Sequence, residues 1–216
     1  MSSSLASPPS SSDPVFEGVY GPYTITADDR REVRAYRLAL TSVAIAQLAL
    51  ALQWHQWGSR WLWPWLVVMG VGLGLALRWI HIYLRPLHQA LQLFWLAGCV
   101  GFVALAAWLT PEGMVNEAFQ RPLAILAMGP FFAALTGIGF KEFFCFRRPE
   151  AIGVTLLLPL ALLGRLTGLL GVPTTLALLT LQAGLLLVLC LRKFPMPAAA
   201  DVGDKSVFAH LEQAIL

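Results

Sequence analysis

Residues 87–109 read LHQALQLFWLAGCVGFVALAAWL, twenty-three positions with no Asp, Glu, Lys or Arg. At about 1.5 Å of rise per residue, a helix of that length covers roughly 34 Å, enough to cross a hydrocarbon core of about 30 Å. Within lipid, a single segment satisfies its own backbone N–H and C=O groups only as a helix, so the stretch predicts a transmembrane span. Working outward, five more blocks have the same apolar character, at residues 35–54, 62–80, 122–140, 151–170 and 172–191. The expected fold is all-α: a polytopic membrane protein built as a six-transmembrane-helix bundle.

Composition points the same way. Of 216 residues, 57% are hydrophobic and 12% are charged, about half the roughly 25% charged residues typical of soluble domains. Mean hydropathy is +0.68. The chain lacks the charged residues to clothe a soluble core, and its apolar content excludes a disordered chain or a coiled coil. Three cysteines without paired spacing exclude a disulfide scaffold. The net charge is +3, and the basic residues lie scattered between apolar blocks. That distribution suits a basic membrane face and not a nucleic-acid binder.

Lys and Arg placement sets the expected orientation. With the amino terminus in the cytoplasm, the inner segments hold Arg30, Arg31, Arg34, Arg37, Arg78, Arg85, Lys141, Arg147, Arg148, Arg192, Lys193 and Lys205. The outer side keeps Arg60, Arg121 and Arg165, so twelve basic residues stand against three and both termini are expected on the cytoplasmic side. Trp54, Trp57, Trp61, Trp63 and Trp65 gather around the first outer loop, where indoles favour the headgroup level. Pro64 suits the first turn of its span, while Pro130 and Pro159 fall inside theirs. Gly70-x-x-x-Gly74 and Gly164-x-x-x-Gly168 offer faces for close helix approach.

Outside the bundle, residues 1–17 are expected to be a disordered tail, since MSSSLASPPSSSDP alone holds seven serines and three prolines. Residues 18–34 read as an interfacial segment and helix start, with Thr26 and Asp29 spaced as a capping box. Residues 35–194 form the transmembrane domain. Residues 195–216 are expected to be a cytoplasmic tail in which Ser206 caps a short amphipathic helix, with Val207, Phe208, Leu211, Ala214 and Ile215 on one face.

Ionisable groups within a bilayer are costly, which makes each a candidate site. The central portions of the six spans hold no Asp or Glu, which weighs against an ion-coupled transporter. Arg165 is the one charge well within an expected span. It either snorkels to the outer headgroups or contacts an anion or quinone carbonyl in the bundle. Between spans two and three, RWIHIYLRPLHQ carries Arg78, His81, Arg85 and His88. His81 and His88 are candidate ligands of haem, chlorophyll or a quinone, an assignment second to a basic interfacial turn. After span four, GIGFKEFFCFRRPEA (137–151) places Lys141, Glu142, Arg147 and Arg148 around apolar rings. It is expected to be an interfacial loop that binds acidic lipids or a partner complex. Cys145 in that loop is expected to be an inert thiol. No metal-ligand spacing, nucleophile motif or phosphate-binding glycine loop occurs, so no catalytic or metal residue is assigned.

Three segments, GPYTITADDRREV with YRLAL (21–40), HIYLRPLHQALQLFW (81–95) and GIGFKEFFCFRRPEA (137–151), together resemble a family of uncharacterised integral membrane proteins of cyanobacteria and chloroplasts. The resemblance extends from about Gly18 to Lys193. It implies a thylakoid or plasma membrane of a cyanobacterium-like cell and supplies no catalytic residue. The expected function is non-enzymatic: a basic cytoplasmic face (Arg78, Arg85, Lys141, Glu142, Arg147, Arg148) that docks membrane lipids or a membrane protein complex. A cofactor-binding protein using His81 and His88 is the alternative, and a small transporter or channel comes third.

Overall fold

The computed structural model describes residues 13–58, 60–111 and 113–213. It opens with a hairpin of β1 (Val15–Gly18) and β2 (Gly21–Thr24), paired antiparallel with Val15 opposite Thr24 and Gly18 opposite Gly21. Gly21 has φ +125°, a conformation that glycine adopts without a Cβ clash. The chain is therefore mostly helical and not all-α. Val15–Glu17, assigned to a disordered tail on composition, form part of a strand. The Phe16 and Tyr23 rings stack at 5.6 Å and pack against Ile25, Val33 and Val202, which supplies the burial that a serine-rich count does not register. Residues 1–12 of the expected tail, and Ala214 and Ile215 of the expected amphipathic face, lie outside the described residues.

Helix α1 (Ala27–Trp57) starts from the capping box anticipated above. The Asp29 N–H donates to Thr26 Oγ1 at 3.3 Å, and the Thr26 N–H donates to Asp29 Oδ2 at 2.7 Å. There follow α2 (Trp63–Trp79), α3 (Arg85–Leu109), the short α4 (Met114–Gln120), a single 3₁₀ turn at Pro122–Ala124, and α5 (Ile125–Phe146). Next come α6 (Pro149–Leu166), α7 (Val172–Lys193), α8 (Ala198–Val202) and α9 (Lys205–Gln213).

Among the described residues, five helices are long and apolar enough to cross a membrane: α1, α3, α5 with its preceding turn, α6 and α7. The sixth expected span, α2, has 17 residues, about 25 Å at helical rise. It is shorter than its apolar block because Leu62 and Ile80 serve as caps, Ile80 in extended backbone.

The helices form a ring in the spatial order α2–α1–α7–α6–α5–α3, and the closing α2–α3 seam is the sparsest contact. Lipid tails are as apolar as leucine, so association rests on close packing and hydrogen bonds and not on water expulsion. Small residues deliver that packing. A Cβ on Gly98 would strike the Phe131 backbone, one on Gly101 the Ala127 carbonyl, and one on Gly72 the Ser42 and Val43 side chains. The expected Gly164-x-x-x-Gly168 face is not formed. Helix α6 ends at Leu166, Gly168 turns the chain at φ +76°, and the Leu170 N–H donates back to the Gly164 carbonyl at 2.9 Å. The Gly-terminated reversal that ends the helix explains the difference.

Candidate functional site: a buried ionic cluster at one end of the bundle

Residues 137–146, expected as a loop, are the last turns of α5. Arg147 then breaks the helix in left-handed backbone (φ 50°, ψ 36°), and Arg148 extends into Pro149, the first residue of α6. A residue before proline favours extended backbone, which explains the sharp two-residue turn. The helical extension carries Lys141 and Glu142 into the bundle. Both are buried, with Glu142 fully inaccessible, so neither side chain faces the surface as expected.

Glu142 is the hub. Its Oε1 accepts the Tyr36 hydroxyl at 2.7 Å and the Lys141 ammonium at 3.4 Å, while its Oε2 pairs with Lys193 Nζ at 2.5 Å. Lys193 also sits 2.5 Å from Asp201 Oδ1. The other Asp201 oxygen accepts from Arg37 Nε at 2.8 Å and Nη2 at 2.6 Å. Arg37 spends its remaining donors on the carbonyls of Met196 (2.9 Å) and Pro197 (3.3 Å). Those carbonyls belong to the turn after α7, so the guanidinium ties α1 to the chain that leads into α8.

Three buried cations thus meet two buried carboxylates. Aromatic faces hold part of the excess: Lys193 Nζ lies 4.6 Å from the Phe146 ring centroid and 5.0 Å from that of Tyr36, and Lys141 stands 5.5–5.6 Å from the same two rings. Such contacts gain strength when water is excluded. The network ties α1, α5, α7 and α8 to one another, and removing one partner of such a buried pair leaves the other charge uncompensated.

A second layer clasps the termini over this end. Lys205 pairs with Asp29 at 2.8 Å, the Val19 N–H donates to Asp204 Oδ2 at 2.7 Å, and the Tyr20 N–H donates to Ser206 Oγ at 3.0 Å. Asp204, and not Ser206 as expected, caps α9, accepting the Ser206 N–H at 2.9 Å. The Ser206 hydroxyl and the Val19 N–H hold its carboxyl below the usual carboxylate range.

The other expected site residues are dispersed. Arg78, Arg85 and Arg147 are exposed, and Arg148 is half-buried with Nη2 3.2 Å from Met196 Sδ. His81 Nε2 faces Glu32 at 3.6 Å. Burial is the main cause that lowers its pKa, Lys141 and Lys205 acting in the same direction and Glu32 and Asp29 opposing. His88 Nε2 donates to the Leu77 carbonyl at 2.7 Å. The two imidazoles turn these nitrogens to different partners, so the structure does not bring them together on one ligand. Burial pushes the nearby Tyr83 hydroxyl up to about 12. Arg165 occupies the last turn of α6, half-buried, with Nη1 3.4 Å from the Leu170 carbonyl. Cys145 is exposed.

Deeper in the bundle, Gln47 Nε2 donates to Gln182 Oε1 across α1 and α7, both side chains buried. Gln47 borders an apolar cavity of about 50 Å³ that Met69, Met128 and Phe132 also line.

Tyr36 and Asp201 carried no expectation from the sequence, and Arg37 and Lys193 entered only the count of inner basic residues. A usable signal existed for Asp201, an acid set in the small-residue run AAADV after α7.

A family model described as "Uncharacterized integral membrane protein (DUF2301)" matches residues 75–210, more than half of the chain. The chain belongs to this family. The match includes segments 81–95 and 137–151 and four members of the cluster, Lys141, Glu142, Lys193 and Asp201. Tyr36 and Arg37 precede it, and it continues past Lys193 into α9. No curated protein and no solved structure matches the chain. The protein is thus a multi-pass integral membrane protein whose helical faces contact lipid.

Proposed function

We propose that this is a non-enzymatic membrane protein whose charged end lies in the cytoplasm and binds acidic lipid headgroups. The observation that carries the reading is a division of labour among basic residues. Arg37, Lys141 and Lys193 are buried in the ionic cluster, whereas Arg78, Arg85 and Arg147 stand exposed at the same ends of α2, α3 and α5. Juxtamembrane basic residues contribute about 1 kcal/mol each toward an anionic surface. Lys141 and Glu142 leave the docking set because they are buried. The excess of basic residues at this end supports the orientation, with α2 counted as a sixth, short crossing. The resemblance noted for segments 81–95 and 137–151 supports a photosynthetic membrane.

The test is lipid retention by the Arg85→Gln/Arg147→Gly pair. Glycine favours the left-handed backbone that Arg147 occupies, so the substitution removes charge and relieves strain at once. Purified wild-type protein should carry phosphatidylglycerol in preference to phosphatidylcholine, and the double variant should show a clearly weaker preference. Equal enrichment in both proteins would overturn the reading.

A further inference from the structure

The α2–α3 seam closes the helical ring, yet the two helices touch sparsely along it. Trp95 on α3 crosses it: its indole N–H donates to the Gly70 carbonyl at 2.8 Å, and its ring occupies the space a Cβ on Gly74 would need. On either side of this staple a hollow opens to the bilayer. One, of about 360 Å³, runs past Val71, Cys99 and Val103. The other, of about 370 Å³, is floored by Leu77 and Leu96 and ends in two polar side chains, Arg78 and Gln92.

Helix α2 supplies the reason for a ligand here. At about 25 Å it is roughly 5 Å shorter than a typical hydrocarbon core, and Arg78 is exposed in its last turn. A guanidinium in that last turn lies within side-chain reach of the headgroup layer, where a lipid phosphate can pair with it. A phosphate forms bidentate hydrogen bonds to arginine that the neutral hollow itself does not offer. Resting on the acidic-lipid reading above, we propose that the α2–α3 groove binds one anionic phospholipid, with its phosphate on Arg78 and an acyl chain laid past Trp95 toward Val103. The distance from Arg78 to Trp63 along α2, about 22 Å, suits an extended acyl chain.

Phosphatidylglycerol with a photoreactive group on its acyl chain tests the assignment, in nanodiscs holding the full-length protein, with adducts mapped by mass spectrometry. Adducts should concentrate on Val71, Leu96, Cys99 and Val103. Gly70→Leu should reduce them about tenfold, since a Cβ there meets nothing nearer than Cys99 Sγ at 3.9 Å and the side chain would fill the groove. Val103→Trp, at a position 69% exposed, gives a second filled groove should Gly70→Leu fold poorly. Arg78→Gln should lower adducts by a similar factor, whereas phosphatidylcholine carrying the same probe should label the groove weakly in every protein. Adducts spread evenly over α6 and α7, or equal groove labelling by the two lipids, would overturn the proposal. Arg78 stays intact in the Arg85→Gln/Arg147→Gly pair. A weakened lipid preference there with no groove adducts sinks the groove alone, and groove adducts with an unchanged preference sink the exposed-arginine reading alone.

Discussion

Tyr36 donates its hydroxyl to Glu142 Oε1 at 2.7 Å, joining α1 to the last turns of α5 across 106 positions of sequence. The bond is one of several on a fully buried carboxylate, and the energetic weight lies with the carboxylate and not with the phenol.

Glu142→Gln should therefore be far more damaging than Tyr36→Phe. The first leaves Lys141 and Lys193 buried without their shared counter-charge, at a cost of about 3–5 kcal/mol. The second removes one hydrogen bond, about 1 kcal/mol. Thermal unfolding in detergent would separate them, and Glu142→Gln/Lys193→Met should recover part of the loss. Similar small shifts for the two single variants would contradict the hub role of Glu142.

Asp201 is the second anchor, gripping Arg37 and Lys193 together. Asp201→Asn should loosen the 194–204 connection while the bundle stays folded, so limited proteolysis should cut there first. An unchanged digestion pattern would mean that the terminal clasp holds this connection without Asp201.

Glycine positions give a packing test. Gly101→Leu drives a side chain into the Ala127 backbone and should prevent recovery of folded protein. Gly184→Ala meets nothing within 4 Å and should be neutral or slightly stabilising, alanine being favoured over glycine in a helix by roughly 1 kcal/mol. Equal recovery of both variants would refute the close α3–α5 approach.

Gln47 and Gln182 should behave as a pair. Either single change to Leu strands a buried amide, whereas the double change to Leu removes both polar groups and should cost less than the two single losses combined. Additive losses in a double-mutant cycle would show that the two amides do not interact.

His81 predicts a pH response. Its pKa is lowered in the fold, so the neutral ring is favoured there. The associated stability is present above the unfolded value of about 6.5 and is lost as pH falls through the folded value. Wild-type protein should therefore lose thermal stability between about pH 7 and about pH 5 more steeply than His81→Gln. Parallel profiles would assign the acid sensitivity to other groups.

The membrane class, the helical content and the capping box at Thr26 and Asp29 were legible in the chain because each depends on local properties: apolar run length, charge density and the spacing of two side chains. The end of α5 was not. KEFFCFRR looks like a polar boundary when read by charge, and whether a Lys-Glu pair ends a span or lies buried depends on what faces it. Lys193 and Tyr36 face it, from positions 51 and 106 residues away, and Asp201 holds Lys193 in turn. Hydropathy likewise located α2 but could not reveal that both ends of its apolar block become caps. The ring order, the sparse α2–α3 seam and the meeting of three cations with two carboxylates are non-local. They arise where glycines let backbones approach and where buried charges find partners, and no stretch of sequence carries its distant partner with it.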